Sequence, residues 1–391
     1  MLTLDETRPV WVEINLDNLA HNIKEVKKNI KQDTMVTAVV KANGYGHGSV
    51  EIARTFLENG ADRLAVAILT EAIELRKSNI TEPILVLGYT PPVQYHKVLE
   101  YDLIQTIYNY EEAKILSKKA TEESKTVKIH LKIDSGMGRL GFLPTDEAIE
   151  DIINISKLPN IFVEGIYTHF AKADEIDKSH VNGQFEKYTN LVNALEEKEL
   201  NIPIKHVSNS AAIIDLPEFN LDMVRAGIMI YGYYPSDEVN KEDIKLKPAM
   251  TLKAKISNLK TVEKGTGISY GQIFVTDKKS KIGTIPIGYA DGFTRLLTGK
   301  AEVYIKGKRV NVVGKICMDQ CMIDLSDIED VKLGDEVVIF GYEKELYPRV
   351  EELAKKIDTI NYEIICMVGR RIPRVYIKDS EIIKIKDYLS D

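Results

Sequence analysis

Side chains capable of chemistry stand at the ends of short apolar runs. Lys41 closes the run Val36–Val40 and leads into Ala42-Asn43-Gly44-Tyr45-Gly46-His47-Gly48. A lysine amine ahead of a glycine-rich loop can form an imine with a carbonyl compound; read alone, it is equally a solvated lysine beside a turn. His169 follows the run Phe162–Thr168, Asn209 and Ser210 follow Ile204–Ser208, and Arg225 ends Asp222–Arg225 ahead of Gly227 and Ile228. Each has a structural alternative: a packed histidine, a helix N-cap at Ser210, an ion-paired arginine. In His130-Leu131-Lys132-Ile133-Asp134 the period of two puts His130, Lys132 and Asp134 on one strand face. If that face points inwards, Lys132 needs a partner or a modification, and Asp134 is the nearest carboxylate in sequence.

The elements that position these residues alternate. Between residues 10 and 232 β-branched runs trade places with amphipathic stretches such as Leu19–Ile30, Ile149–Leu158 and Phe185–Leu200, the first with Asp17 as a fair N-cap. The runs are Val36–Val40, Leu64–Ala67, Ile84–Leu87, Gln105–Ile107, Val127–Ile133, Phe162–Thr168, Ile204–Ser208 and Asp222–Arg225. Eight such strands suggest a closed (β/α)8 barrel, whose chemistry is done at the C-terminal strand ends and whose last two loops commonly bind phosphate. After Tyr234 a charged run to Lys247 reads as a linker. From about Met250 the segments are short and alternating, with a helix near Val350–Lys356, so the second domain is mainly β. The expected organisation is an α/β barrel over residues 10–240 and a β-rich domain over 241–391 with residues 1–9.

Bulk properties narrow the function. A chain of 391 residues exceeds the usual single-core limit of about 250 to 300. Its 44% hydrophobic and 28% charged residues are those of an ordinary soluble protein. The net charge of −7 is spread along the chain, which makes nucleic acid and anionic membrane poor partners. Cys317, Cys321 and Cys366 are too sparse for a disulfide framework, so a reducing cytosol is expected. The first eight residues have no signal-like apolar core, and no run reaches about 18 apolar residues, so neither export nor insertion is expected.

Val-Val-Lys-Ala-Asn-Gly-Tyr-Gly-His-Gly at residues 39–48 resembles the pyridoxal-phosphate attachment signature of alanine racemases, and Arg8-Pro9-Val10-Trp11-Val12-Glu13-Ile14-Asn15-Leu16 resembles their N-terminus. The resemblance runs from residue 8 to about 376. It implies pyridoxal 5'-phosphate carried on Lys41 as an imine, with its phosphate held by Tyr45, Ser210, Tyr362 and the backbone of Gly227 and Ile228. It further implies Arg225 on the pyridine nitrogen, Arg139 on the phenolate oxygen, and Leu87 and Asn209 as further cofactor contacts. The family's matching lysine, here Lys132, is often carbamylated and fixes that arginine.

A guanidinium only donates and stays charged, so Arg225 leaves the ring nitrogen unprotonated and weakens the electron sink, which favours reprotonation at the α-carbon over transamination. Racemisation also asks for a base on each face. Lys41 is one, and the segment Gly267-Ile268-Ser269-Tyr270-Gly271, which resembles the family's catalytic tyrosine segment, supplies the other. A phenol of pKa about 10 must be lowered to act near neutrality, and the resemblance offers a chain from Tyr270 to His169 to Arg225, with His206 as secondary support. Met318 and Asp319 would bind the substrate carboxylate, and Tyr289 and Tyr362 would line the entrance, although core filling is the usual work of a methionine.

A barrel decarboxylase for ornithine, arginine or diaminopimelate would carry an adjacent Cys-Asp pair, whereas Met318 separates Cys317 from Asp319 here. A cofactor carrier without activity would usually stop after the barrel. The resemblance therefore implies a cytoplasmic enzyme interconverting L- and D-alanine and supplying D-alanine for peptidoglycan, without a metal. Its partners would be the small substrate and a second copy of the chain, in a homodimer with shared sites. Serine or broad-specificity racemases share every motif quoted.

Overall fold

The structure is a computed structural model and describes residues 3–390. Met1, Leu2 and Asp391, which the sequence reading placed in the second domain, lie outside the described residues. The chain forms two compact units, one of Leu19–Gly44 with Ser49–Lys247, the other of the chain up to Asn18, Tyr45–Gly48 and the chain from Pro248 on.

In the second of these units the first strand is β1 (Val10–Asn15). The other unit is a barrel of eight parallel strands: β2 (Met35–Val39), β3 (Arg63–Val66), β4 (Ile84–Val86), β5 (Ile104–Ile107), β6 (Val127–Lys132), β7 (Ile161–Tyr167), β8 (Ile204–His206) and β9 (Met223–Ala226). Their order is β8-β7-β6-β5-β4-β3-β2-β9, so each pairs with its neighbour in sequence and the last returns to the first. All eight expected strands are present within two residues of their expected ends. They are rich in Val, Ile and Leu because crossover helices cover a parallel sheet's outer face and leave little of it to water. Between β8 and β9 the closure is made by Asp222 N–H to Lys205 O (3.1 Å) and Arg225 N–H to Ser208 O (3.0 Å), reinforced by Lys205 N–H to Asp222 Oδ2 (2.8 Å).

The three expected helices are Leu16–Lys28, Asp146–Ser156 and Ser179–Glu197. Each starts before its expected first residue because the opening turn is polar and invisible to apolar periodicity. The cap of the first is Asn15, whose Oδ1 accepts from Asn18 N–H (2.9 Å). Asp17 is not that cap; its carboxylate accepts from Asp379 N–H instead (2.8 Å). Among the described residues no helix is long and apolar enough to cross a membrane.

The other unit is mainly β. Its strands are β10 (Met250–Lys255), β11 (Asn258–Val262), β12 (Gly267–Ile268), β13 (Phe274–Val275), β14 (Ser280–Ile285), β15 (Glu302–Ile305), β16 (Lys308–Val313), β17 (Cys321–Asp324), β18 (Glu336–Phe340), β19 (Arg374–Lys378) and β20 (Glu381–Lys386). Nine of them with β1 make one ten-stranded sheet in the order β11-β14-β17-β16-β15-β18-β10-β1-β19-β20, while β12 and β13 form a separate pair. The expected helix Val350–Lys356 is present. The sequence reading began the barrel at residue 10, yet β1 lies inside this sheet, antiparallel to β10 and parallel to β19. An apolar strand pattern says that a strand is buried, not which sheet buries it.

Asp222 stitches β8 to β9 through its side chain, and its carbonyl accepts from Met35 N–H at the start of β2 (2.9 Å). Replacing Asp222 by Ala leaves Lys205 N–H without that acceptor, and the unfolding free energy from urea titration is expected to fall by about 1 kcal/mol.

Candidate active site

Lys41 follows β2 after one residue, Val40, and opens an unusual turn. Ala42 (φ 54°, ψ 50°), Asn43 (φ 53°, ψ 45°) and Gly44 (φ 60°, ψ 48°) all adopt the left-handed helical conformation, and Tyr45 continues it with φ 50°. Each non-glycine residue there costs roughly 1–2 kcal/mol. Local bonds hold the turn: Gly44 N–H to Val40 O (3.0 Å), Ala42 N–H to Glu71 Oε1 (2.6 Å) and Ser49 N–H to Asn43 Oδ1 (3.1 Å). The glycine-rich loop leads into the helix Ser49–Glu58. Within the β unit, Tyr45–Gly48 is clamped by Arg374, a fully buried arginine that donates to Gly46 O from Nε (3.1 Å) and Nη2 (2.9 Å). Gly46 has φ +84°, and a Cβ there would lie 2.2 Å from Ile365 O, so both backbone and space require glycine.

The centre of the barrel mouth is Arg225, 4% exposed, which among the described residues has no carboxylate as an ion-pair or hydrogen-bond partner. Nη1 donates to His206 Nδ1 (2.9 Å) and His206 O (3.2 Å), and Nη2 to Thr168 O (2.8 Å), Val207 O (3.0 Å) and, more distantly, His169 Nδ1 (3.4 Å). Among the described residues nothing accepts from Nε. The Tyr167 ring lies beneath the guanidinium (5.1 Å) and stacks on His206 (4.6 Å, 11°). Burial pushes the Arg225 pKa down to about 10, so it stays charged at neutrality. The structural ion pair that the sequence allowed is not made.

Four cations bear on His169. Burial first, and then Arg225, Arg139, Lys132 and Lys41, hold its pKa well below the usual imidazole value, so the ring is neutral. That concentration of positive charge around an uncharged ring suits an anionic ligand.

Lys132 is buried, donates to Ile133 O (2.8 Å) and sits 5.3 Å from the Tyr167 ring centre. It forms no ion pair with Asp134. Asp134 is occupied by four backbone donors, Gly136, Met137 and Gly138 N–H on Oδ1 (3.0, 2.8 and 3.0 Å) and Arg139 N–H on Oδ2 (3.0 Å). Its work is to shape the loop that presents Arg139, whose side chain is exposed. Burial, with the charges of Arg225 and Arg139, lowers the Lys132 pKa to about 7 against the opposing pull of Asp134.

The last two barrel loops meet. Ser210 Oγ accepts from Gly227 N–H (3.0 Å) and Met229 N–H (3.4 Å), and Ile228 opens the 3-10 helix Ile228–Tyr231. The N-cap of helix Ser210–Asp215 is Asn209, whose Oδ1 accepts from Ala212 N–H (3.1 Å); Ser210 is thus free of the capping role. Leu87, just past β4, is half-buried and its N–H donates to Val66 O (2.9 Å).

In the β unit, Tyr270 begins a short 3-10 helix and is 68% exposed. Ser269 before it donates from Oγ to Lys315 O (2.6 Å). Tyr289 N–H donates to Cys317 O and Ala290 N–H to Met318 O (both 3.0 Å), which ties the Tyr289 turn to the Met318 loop. Met318 is 52% exposed and fills no core of this unit. Asp319 accepts from Arg371 Nη2 (2.8 Å), and Arg371 Nε also faces the buried Asp291 (3.3 Å). Tyr362 lies beside Tyr45, ring centres 6.2 Å apart.

The profile of the "Alanine racemase, N-terminal domain" family matches residues 14–235, and that of the "Alanine racemase, C-terminal domain" family matches residues 249–376. The chain belongs to the alanine racemase family. It is 53% identical over 382 residues to the alanine racemase of Clostridium perfringens (strain SM101 / Type A), with 98% of this chain and 99% of that one covered. The solved alanine racemase of Clostridium difficile 630 is 46% identical at a TM-score of 0.95, and its complex with cycloserine 45% identical at 0.93, each with 100% of both chains covered.

Beyond the residues named from this family's motifs, the barrel interior holds a chain that sequence reading missed. His206 Nε2 is 2.9 Å from His130 Nδ1, and His130 Nε2 is 3.0 Å from Glu164 Oε2. Glu164 also pairs with Arg63 Nη1 (2.5 Å) and Lys128 Nζ (3.3 Å). Gly165 sits opposite His130 in the β6–β7 ladder, and a Cβ on it would fall 2.6 Å from that ring. An acid followed by glycine inside the apolar strand Ile161–Tyr167 was the available signal.

Burial raises the Glu164 pKa, but hydrogen bonds from His130 and Arg63 and the charge of Arg63 outweigh it and leave it at about 2. A depressed carboxylate pKa contributes stability that is present above its unfolded value, about 4.3, and lost as pH falls through the folded value. The Glu164→Gln protein is expected to be less stable than wild type by about 2 kcal/mol at pH 7. Denaturant midpoints measured against pH should show that gap narrowing from about pH 4.3 towards pH 2.

Proposed function

We propose that this chain is a pyridoxal 5'-phosphate-dependent racemase that interconverts L- and D-alanine with Lys41 and Tyr270 as its two bases. The observation that carries the reading is the carboxylate-free Arg225, whose Nη groups are spent and whose Nε–H is left for an acceptor. A pyridine nitrogen without a proton is such an acceptor, and the guanidinium charges of Arg225 and Arg139 match a phosphate and a phenolate. When bound in this site the cofactor would supply the electron sink that makes the α-hydrogen of alanine acidic, with the Lys41 amine released to act as a base.

The chain's own residues do the rest. Tyr45, Ser210, Tyr362 and the N–H groups of Gly227 and Ile228 hold the phosphate, with Leu87 and Asn209 against the cofactor. Arg225 keeps the ring nitrogen as an acceptor and so limits how far charge spreads from the α-carbon. Arg139 holds the phenolate oxygen, and Met318 and Asp319 orient the substrate carboxylate. Lys41 takes or returns the proton on one face of the α-carbon and Tyr270 on the other, with His169 as the neutral link between Tyr270 and Arg225. Lys132, with a pKa of about 7, holds a large neutral fraction at neutrality, and a neutral amine can add carbon dioxide and release a proton to water to become a carbamate, the anion that would orient Arg139. Tyr289 and Tyr362 narrow the entrance to small substrates, in keeping with the relative's complex with cycloserine. The enzyme works in the cytoplasm as a homodimer in which Tyr270, Met318 and Asp319 of one subunit complete the site around the other's Lys41.

Lys41→Ala is expected to abolish racemisation of alanine and to remove the visible absorption of lysine-bound cofactor; an unchanged spectrum would sink the assignment. Tyr270→Phe is expected to keep the colour yet lose α-deuterium exchange from one enantiomer far more than from the other, as NMR exchange rates would report, whereas equal loss from both argues against two bases.

The shared site has its own test. Lys41→Ala and Tyr270→Ala proteins, each inactive, are mixed and refolded together. Half the dimers are then mixed and each regains one intact site, so about one quarter of wild-type D-alanine formation is expected. Activity no greater than the sum of the two variants would mean that each site is built within one chain.

A further inference from the structure

We infer that Glu164, deep in the barrel, is a positioning residue for the reaction: acting through His130 and His206, it fixes which nitrogen of His206 is bare and thereby holds the Arg225 guanidinium in the orientation that leaves Nε–H outward. This rests on the reading that Arg225 Nε serves the cofactor ring.

The argument is one of donors and acceptors. Arginine has five N–H donors and no acceptor. His206 Nδ1, 2.9 Å from Arg225 Nη1, must therefore be a bare acceptor, and a neutral His206 carries its hydrogen on Nε2. That hydrogen points at His130 Nδ1 (2.9 Å), so His130 also accepts on Nδ1 and carries its hydrogen on Nε2. His130 Nε2–H then requires an acceptor, and Glu164 Oε2 stands 3.0 Å away. Every donor in the chain points from Arg225 towards Glu164, and all four residues are buried.

Without the acceptor at position 164, His130 is free to move its hydrogen to Nδ1. His206 then carries its hydrogen on Nδ1 and confronts Nη1 donor to donor. Burial acts in the same direction, because it keeps both rings neutral, and a neutral imidazole must choose one nitrogen. The function belongs to the acceptor atom more than to the charge. Oε2 receives both His130 Nε2–H and Arg63 Nη1–H, while the ion-pair partner of Oε1 among the described residues is Lys128, which is half exposed. A glutamine can put its single carbonyl oxygen where Oε2 stands; a leucine cannot.

Nitrogen-15 NMR of the histidine-labelled wild-type protein at neutral pH tests the chain directly. The expected result is two neutral rings, His130 and His206, each with its hydrogen on Nε2; a hydrogen on Nδ1, or a charged ring, at either residue overturns the inference. This measurement needs no bound cofactor, so it stands or falls separately from the function proposed above, which colourless wild-type protein incubated with pyridoxal phosphate would sink. In the cofactor-loaded enzyme, Glu164→Gln is expected to keep both tautomers and the wild-type ratio of pyridoxamine phosphate formed to alanine racemised. Glu164→Leu is expected to shift part of the His206 population to the Nδ1–H form and to raise that ratio severalfold. A structural role alone predicts that racemisation and side transamination fall together in both variants, and an unchanged ratio in Glu164→Leu would overturn the inference. The wild-type spectrum carries the test however well Glu164→Leu folds.

Discussion

A guanidinium buried at the mouth of a barrel, with no carboxylate to meet it, is the constraint around which the rest of the site is arranged. Taking such a charge out of water costs several kcal/mol unless its donors are satisfied, and here backbone carbonyls of Thr168, His206 and Val207 with the Nδ1 atom of His206 do so. Those carbonyls belong to the ends of β7 and β8, so strand register sets the position of Arg225 directly. A carboxylate would satisfy the same donors with one side chain, but it would also neutralise the field that the cations of this mouth maintain together. The barrel holds its negative charge lower down, at Glu164, and two imidazoles separate that charge from Arg225.

The turn after Lys41 shows a related economy. Three consecutive left-handed residues, two of them not glycine, are unstable in an isolated peptide. They persist because Glu71 takes the Ala42 N–H, Val40 O takes the Gly44 N–H, and the Asn43 side chain accepts from Ser49 N–H. The strain places the lysine at a strand end with little backbone freedom, and a rigid support is what a group that must meet one atom of a ligand requires.

Much of this was legible in the chain. The eight barrel strands announce themselves as β-branched runs with polar helices between, and the reactive residues sit where such runs stop. The tautomer chain was not legible, because His130, Glu164, His206 and Arg63 lie on four different strands and only the closed barrel brings them together. The period of two put His130, Lys132 and Asp134 on one face, yet β6 ends at Lys132 and the pairing of Lys132 with Asp134 is not made, since the backbone amides of the following loop capture that carboxylate. Nor did local pattern distinguish Asn15 from Asp17 as a cap, or Asn209 from Ser210, because adjacent residues with similar side chains differ only in which one the backbone leaves extended.

The place of β1 also bears on how the protein is made. Val10–Asn15 lies in the interior of the ten-stranded sheet, between β10, which begins at Met250, and β19, which begins at Arg374. Translation adds about 5–20 residues per second, so this strand leaves the ribosome tens of seconds before either neighbour exists. Every strand of the barrel, in contrast, finds a partner adjacent in sequence, apart from the final return of β9 to β2. The barrel can therefore close while the nascent chain is still growing, with Val10, Trp11, Val12 and Ile14 still waiting for the strands that pair with them. A holdase that covers a short apolar segment during synthesis would serve this chain best at Val10–Asn15, and a circular permutant that begins after β1 and carries that strand behind β20 would shorten the wait to the time needed to translate the β unit alone.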